Sequence, residues 1–167
     1  MKEKRKLQIL FTDLDGTLTE TISGEDFPKG IWDMKLKFEV LDKIKELNPE
    51  IICIVSNQGG IGKGFVNPEH FKIKMNYVAM SIMEYTRITV LYDYIPDDKD
   101  KNRKPSPYML NKFSHLLNII PDDCMMIGDA SGKEGDFSDS DKKAAENFGC
   151  KYMDVNDFIK GQRIMKG

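Results

Sequence analysis

The chain has 167 residues, of which 40% are hydrophobic and 31% are charged, and its formal net charge is −2. This length suits one domain with a sizeable core, so we expect a single domain over residues 1–167. The slight acidic excess disfavours a dedicated nucleic-acid binder, which usually has a clear basic excess, and no apolar run approaches the roughly 20 residues that a membrane span needs.

The first half of the chain alternates short apolar runs with segments of helical periodicity. Residues 7–12 form an apolar run that stops at an acidic turn, which predicts a strand. Apolar side chains recur at helical spacing over residues 34–47, which predicts a helix, and the β-branched run 51–55 is typical of a buried parallel strand. Asn67 and the proline after it predict the start of a helix over residues 68–85.

The second half continues the same alternation. Residues 88–92 and 124–127 are apolar runs that predict strands, and residues 106–117 predict a helix entered through a proline. Residues 140–148 predict a helix that a glycine ends, and residues 151–153 predict a short last strand. Strands that alternate with helices imply a three-layer, doubly wound parallel sheet with helices on both faces.

Chemically active side chains follow four of the predicted strands. Asp13 and Asp15 come directly after the first strand and Ser56 follows the second. Lys104 lies in the loop after the third strand, and Asp129 follows the fourth. Because ligands of open α/β sheets bind outside the carboxyl ends of the strands, we expect these side chains to converge on one edge.

Residues 13–17 read Asp-Leu-Asp-Gly-Thr and form a candidate metal site. Two carboxylates at the end of a buried strand can face one pocket and hold a hard divalent cation. Gly16 permits a backbone turn that a larger residue would resist. The alternative is a turn with solvated acids. A calcium-binding loop is excluded, because no Glu stands at the closing position of such a loop.

The other candidate residues each have a structural alternative. Residues 56–60, Ser-Asn-Gln-Gly-Gly, offer hydroxyl, amide and backbone N–H groups for a phosphate cradle, or form an ordinary loop after a strand. Lys104 could neutralise the charge of a phosphate or lie on the surface. Asp129 is a carboxylate directly after an apolar strand, a placement that is uncommon without a partner. Asp141 could simply begin a helix.

Three further segments could contact a substrate. The basic residues 2–6 are expected to be a solvated face, whereas the basic residues within 99–104 could steer a phosphorylated substrate. Phe27, Ile31 and Trp32 lie in the loop after the first motif. We expect them to pack, with a place beside the site as the alternative.

Together these residues resemble the haloacid dehalogenase (HAD) superfamily of phosphatases. Residues 13–17 match its first motif, Ser56 its second and Lys104 its third, and Asp129 with Asp141 matches the fourth. All four motifs occur in order along the chain. The resemblance implies a HAD-like fold without a separate cap domain, since the segments between the motifs are short.

Two stretches look like the polynucleotide 3′-phosphatase group of that superfamily. They are residues 56–61, and residues 128–141 with their Asp-Phe-Ser-x-Ser-Asp pattern. The resemblance implies a Mg²⁺-dependent phosphomonoester hydrolase. Its substrate would be a nucleic-acid 3′-phosphate end or, as the alternative, a small sugar phosphate or nucleotide.

The resemblance also implies a role for each motif residue. Asp13 would attack phosphorus and form an aspartyl-phosphate, and Asp15 would protonate the leaving oxygen and then activate water. The Asp13 side chain, the Asp15 backbone carbonyl and Asp129 would hold Mg²⁺, with Asp141 orienting the metal shell or the lysine. Substrate binding would fall to Thr17, Ser56, Asn57, Gln58, Gly59, Arg103 and Lys104.

Cysteine and histidine usage bears on zinc and on the compartment. Residues 94–102, just before the third motif, contain no Cys or His. Related phosphatases of heptose bisphosphate or histidinol phosphate have a zinc loop there, so we expect no zinc. Cys53, Cys124 and Cys150 are far apart beside apolar residues, which predicts buried thiols and a cytoplasmic protein.

Two other classes remain as alternatives. A receiver-type signalling domain has a similar fold and an acidic pocket, but its phosphoacceptor follows the third strand, where this chain has Tyr-Asp-Tyr at residues 92–94. The other alternative is a catalytically idle module that binds a phosphorylated partner. The presence of every catalytic residue type favours the enzyme.

Overall fold

Strands alternate with helices in the computed structural model, which describes residues 5–161. In chain order the strands are β1 (Ile9–Thr12), β2 (Thr19–Glu20), β3 (Lys35–Leu36), β4 (Ile51–Asn57), β5 (Thr89–Ile95), β6 (Cys124–Gly128) and β7 (Lys151–Asp154). The helices are α1 (Phe38–Leu47), α2 (Gly59–Gly62), α3 (Pro68–Thr86), α4 (Tyr108–Leu117), α5 (Ser140–Phe148) and α6 (Val155–Ile159), with a 3₁₀ turn at Pro121–Asp123.

The main sheet is parallel and has the order β5-β4-β1-β6-β7. Strand β1 lies at its centre, where Ile9 is in register with Ile51 on one side and Cys124 on the other. All four residues of β1 are buried. This central strand is buried because it has a neighbour on each side and helices over both faces.

The two faces of the sheet belong to two separate hydrophobic cores. Leu10 points into a core shared with α1, α3 and α6, whereas Ile9 and Phe11 point into a core shared with α4 and α5. This alternation is the period-two pattern of strand side chains. The three-layer, doubly wound parallel sheet predicted from the sequence is therefore confirmed.

Several element boundaries differ from the prediction. The helix predicted over residues 34–47 begins at Phe38, because Lys35–Leu36 pairs in an antiparallel ribbon with Thr19–Glu20. Strands β4 and β5 continue past the apolar runs because they remain paired to their ends, so Ser56 lies within β4. By contrast, the helix predicted over residues 140–148 is confirmed without change.

Asn67 caps α3 as predicted. Its side-chain oxygen accepts hydrogen bonds from the backbone N–H groups of Glu69 and His70, at 2.9 and 3.1 Å. These bonds satisfy two of the donors that a helix start leaves unpaired. The cap holds a helix of 19 residues, and this helix carries Lys74, which reaches the carboxyl end of the sheet.

Other expectations concern the surface and the cysteines. Over residues 5–161, no helix has the length and apolar character that crossing a membrane requires. Residues 2–4 of the basic N-terminal cluster lie outside the described part, while Arg5 pairs with Asp123 at 3.1 Å.

Cys53 and Cys124 are buried as predicted, but Cys150 is only half-buried, because it lies in the turn before the edge strand β7.

Candidate active site

Three carboxylates and one lysine meet at the carboxyl end of β1. The ammonium group of Lys104 lies 3.0 Å from Asp13 Oδ1 and 2.6 Å from Asp141 Oδ1. Lys104 is 2% exposed although it comes from a loop, and Asp141 on α5 is also buried. A buried lysine is stable only with anionic partners, and here it has two.

Asn57 holds the backbone of Lys104 in place. Its side-chain nitrogen donates to the Lys104 carbonyl and its oxygen accepts from the Lys104 N–H, both at 2.9 Å. Asn57 is the last residue of β4, so these two bonds fasten the loop after β5 to the neighbouring strand. The amide predicted to bind phosphate is thus engaged with Lys104, which is a positioning contact that sequence reasoning missed.

The acidic residues are arranged for a cation. Asp13, Asp129 and Asp141 each place one oxygen within 4.8 Å of the others. Asp129 Oδ1 is buried without a hydrogen-bond partner, and such an orphaned oxygen calls for a ligand. Both oxygens of Asp141 are already bonded, to Lys104 and to the Ala130 N–H at 3.0 Å. Asp13 and Asp129 therefore fit a hard cation such as Mg²⁺, which prefers carboxylate oxygen.

The pKa values of the cluster also favour a bound cation. Burial and then Asp141 raise the pKa of Asp13 well above its ordinary value, although Lys104 opposes this rise. Burial is also the main reason that the pKa of Asp129 is raised to about 6. Burial alone would lower the pKa of Lys104, but the two carboxylates beside it raise the value. The cluster thus holds three carboxylates and one ammonium, which pairs with two of them, and a divalent cation would supply further positive charge.

Gly16 is required by the close approach of Asp129. Its φ is +81°, in the region that favours glycine, and a Cβ at this position would collide with the Asp129 carboxylate. The turn after Asp13 can therefore pass beside the metal-binding candidate only if residue 16 lacks a side chain.

Asp15 is held on both of its oxygens. Gln58 donates one hydrogen bond to Asp15 Oδ2 at 2.8 Å and another to the Ser56 hydroxyl at 2.7 Å. The ammonium of Lys74 on α3 lies 3.4 Å from Asp15 Oδ1. Lys74 was not predicted as a site residue, although a lysine among the apolar positions of α3 was a signal for one.

The remaining residues that were predicted to bind substrate do not all lie in the buried cluster. Thr17, the last residue of the first motif, is buried, and its hydroxyl makes no hydrogen bond. Gly59 begins α2, where a Cβ would collide with the Asp98 carboxylate. Arg103 lies 3.8 Å from the same carboxylate and is outside the buried cluster.

The loop from Ala130 to Asp139 is fastened to the edge of the sheet. The Ser131 hydroxyl donates to Asp154 Oδ2 at 2.6 Å and lies 2.5 Å from the Tyr152 hydroxyl. Asp136 accepts hydrogen bonds from the Ser131 and Lys133 N–H groups, each at 3.1 Å. These contacts fix the loop between Asp129 and α5.

Large aromatic side chains are exposed on the segments between β2 and β3, between α2 and α3, and between β6 and α5. Phe27 is 83% exposed, Phe65 is 83% exposed, Phe137 is 84% exposed and Trp32 is two-thirds exposed. The packing expected for Phe27 and Trp32 is therefore wrong. Hydrogen bonds to Asp33 hold their segment, and both rings remain largely exposed to solvent.

Asp33 organises the segment between β2 and β3. Its carboxylate accepts from the Ser23 hydroxyl at 2.7 Å, the Ser23 N–H at 2.8 Å and the Lys29 N–H at 2.9 Å. The hydrogen bond from the Ser23 side chain, followed by the bond from Lys29, lowers the pKa of Asp33 to about 2. Three donors thus favour the ionised carboxylate.

We expect Asp33→Asn to lower the thermal unfolding midpoint at pH 7, because an amide cannot accept all three hydrogen bonds. Since the folded-state pKa is lowered, the carboxylate stabilises the fold above its ordinary value of 3.8, and this contribution is lost as the pH falls through about 2. The difference from wild type should therefore shrink between pH 4 and pH 2 as measured by thermal denaturation. Asp26→Asn in the same segment is the control, and a difference that does not change with pH would contradict the assignment.

Comparison with known proteins identifies the family of this chain. The chain matches the family described as polynucleotide kinase 3 phosphatase over residues 8–159. It is 34% identical over 169 aligned residues to the bifunctional polynucleotide phosphatase/kinase of Schizosaccharomyces pombe. That alignment covers 98% of this chain but only 40% of the relative, so the chain spans less than half the length of that protein.

Two solved structures share the fold. The D,D-heptose 1.7-bisphosphate phosphatase from B. bronchiseptica, complexed with magnesium and phosphate, has a TM-score of 0.67 at 18% identity, with 87% of this chain and 78% of that chain covered. A HAD-superfamily hydrolase from Geobacter sulfurreducens has a TM-score of 0.52 at 14% identity, with 87% and 88% covered. Since the family match runs from β1 to α6 and includes every residue of the cluster, the chain belongs to the polynucleotide kinase 3 phosphatase family, on a HAD-like fold.

Proposed function

We propose that this protein hydrolyses phosphomonoesters with Mg²⁺ through an aspartyl-phosphate on Asp13, and that its substrates are nucleic-acid 3′-phosphate ends. The observation that carries the proposal is the buried Lys104 between Asp13 and Asp141, beside the orphaned oxygen of Asp129. A receiver-type domain would place its phosphoacceptor after another strand, and a binding module would not need this complete set.

The chemistry follows from the positions of the side chains. Asp13 forms a bond to phosphorus while the bond from phosphorus to the leaving oxygen breaks. Asp15 enters this step as the carboxylic acid, gives its proton to the leaving oxygen and becomes a carboxylate. In the second step Asp15 takes a proton from water, which attacks phosphorus and releases phosphate and free Asp13. Lys104 balances the negative charge on Asp13 and on the phosphoryl oxygens.

The metal would be held by the side chains of Asp13 and Asp129 and by the backbone carbonyl of Asp15. When bound, Mg²⁺ supplies positive charge for the phosphoryl oxygens and lets two carboxylates lie close together. The magnesium and phosphate in the B. bronchiseptica structure support this proposal. Asp141 keeps both oxygens on protein donors and so positions Lys104 instead of binding the cation.

The substrate class rests on the family and on the exposed aromatic rings. The S. pombe relative is a polynucleotide phosphatase/kinase. Phe27, Phe65 and Phe137 offer ring faces on which the bases of a single strand can stack. A small sugar phosphate is the second candidate, because the B. bronchiseptica neighbour acts on a heptose bisphosphate. We also propose a cytoplasmic location, in keeping with the free cysteines of the described residues.

The test is phosphate release with Mg²⁺ from oligonucleotides of one sequence that carry a 3′-phosphate, a 5′-phosphate or neither, beside a panel of sugar phosphates. We expect kcat/KM to be highest for the 3′-phosphate and release to stop when the metal is chelated. Preference for a sugar phosphate would keep the mechanism and discard the nucleic-acid substrate. No release from any compound would overturn the proposal.

A further inference from the structure

Helix α3 carries a buried lysine that none of the superfamily motifs includes. The Lys74 side chain is 8% exposed, and its ammonium lies 3.4 Å from Asp15 Oδ1. Its neighbours Phe71, Met75 and Val78 are buried in the core that α3 shares with α1 and α6. An ammonium placed among such residues is unfavourable without a charged partner, so the contact with Asp15 explains why a lysine stands here.

The Asp15 side chain needs such a partner for its own placement. It is 48% exposed, so water alone would leave it free to adopt several rotamers. Lys74 meets one carboxylate oxygen from α3, and Gln58 donates to the other oxygen at 2.8 Å. Lys74 lies on α3 and Gln58 lies directly between β4 and α2, and together the two donors fix the direction in which the carboxylate points.

We propose that Lys74 is a positioning residue that holds the Asp15 carboxylate toward the leaving oxygen of the substrate. This inference rests on the proposed function, in which Asp15 transfers the proton. A carboxylate that is already held in the productive rotamer does not have to reorient before it reacts. Small misplacements of catalytic groups slow reactions strongly. Lys74 itself does not touch the substrate.

The leaving group distinguishes this role from a merely structural one. An alkoxide leaving group, such as the sugar oxygen of a 3′-phosphorylated oligonucleotide, needs a proton from Asp15. The leaving group of p-nitrophenyl phosphate departs readily without one. Loss of Asp15 positioning should therefore slow the first substrate more than the second, whereas general damage to the site would slow both alike.

The experiment compares kcat/KM of Lys74→Met and wild type on both substrates. Methionine keeps the length of the side chain and suits the apolar surroundings, so the fold should survive. We expect a loss of about 10- to 100-fold on the oligonucleotide and a loss within about 3-fold on p-nitrophenyl phosphate, because general acid catalysis contributes roughly 10²–10⁴-fold. The matched control is Lys72→Met, an exposed lysine on the same helix, which should match wild type on both substrates.

A double-mutant cycle checks that Lys74 acts through Asp15. Lys74→Met should cause no further loss in an Asp15→Asn background, and Lys74→Arg should recover part of the oligonucleotide activity. Equal losses on both substrates, additive losses in the cycle, or wild-type activity of Lys74→Met would each overturn the inference while leaving the phosphatase proposal intact. An inactive wild type would instead defeat the phosphatase proposal and this inference with it.

Discussion

Replacing Asp13 with asparagine is expected to lower phosphate release by at least ~10³-fold, because the amide cannot form the covalent bond to phosphorus. Asp13 and Asp141 both contact Lys104 and lie near Asp129, but both oxygens of Asp141 already accept hydrogen bonds from protein donors. The measurement is phosphate release from a 3′-phosphorylated oligonucleotide at saturating Mg²⁺. Asp26→Asn, which changes an exposed acid elsewhere, should keep wild-type activity.

The same substitution should leave the fold intact. Burial raises the pKa of Asp13, so the neutral amide suits the site, and Lys104 keeps its contact of 2.6 Å with Asp141. We therefore expect thermal unfolding midpoints for Asp13→Asn close to those of wild type. Substantial activity in a folded Asp13→Asn protein would show that another group attacks phosphorus.

Replacing Lys104 with methionine is expected to abolish activity and also to lower the free energy of unfolding by about 3–5 kcal/mol, the usual result of removing one partner from a buried ion pair. Asp13 and Asp141 would then face each other in a buried site with no counter-charge. Such a loss is a large part of the roughly 5–15 kcal/mol that stabilises a typical domain. Denaturant unfolding of both proteins measures it.

Addition of Mg²⁺ and the Lys112→Met variant are the controls for the unfolding measurement on Lys104→Met. Mg²⁺ should recover part of the lost stability, since a cation that binds only the folded state stabilises it. Lys112→Met removes an exposed lysine that lies 3.1 Å from Asp93, and it should cost less than about 1 kcal/mol. An equally small effect for Lys104→Met would mean that the buried cluster contributes little to the fold.

The motif residues and the layer architecture could be predicted because they depend on local patterns. A short apolar run that ends at Asp13 and Asp15 indicates a buried strand with two acids at its carboxyl end, whatever the rest of the chain does. Parallel strands all present their carboxyl ends at one edge, so the meeting of Asp13, Lys104 and Asp129 could be predicted from the order of the elements. The helix over Ser140–Phe148 could likewise be predicted from the sequence, because Gly149 marks its end.

Contacts between side chains distant in the chain could not be predicted in this way. Asn57 and Lys104 are 47 residues apart, and Asp15 and Lys74 are 59 apart. No local propensity indicates that an amide will bind a backbone instead of a phosphate, or that a helix lysine will turn inward to a carboxylate. Likewise, residues 35 and 36 lay within the range predicted as a helix, but their pairing with Thr19–Glu20 places them in an antiparallel ribbon.

The sequence by itself determined the family, the layered sheet and the identity of the acids and the lysine at its edge, because each of these depends on residue type and spacing. The tertiary structure alone decided how those groups are held: the bonds from Asn57 to Lys104, the approach of Lys74 to Asp15, and the exposed rings on the Asp33-bound segment. The physical reason is that burial and pairing of charges depend on the whole packed chain, whereas strand and helix periodicity depends on neighbours only.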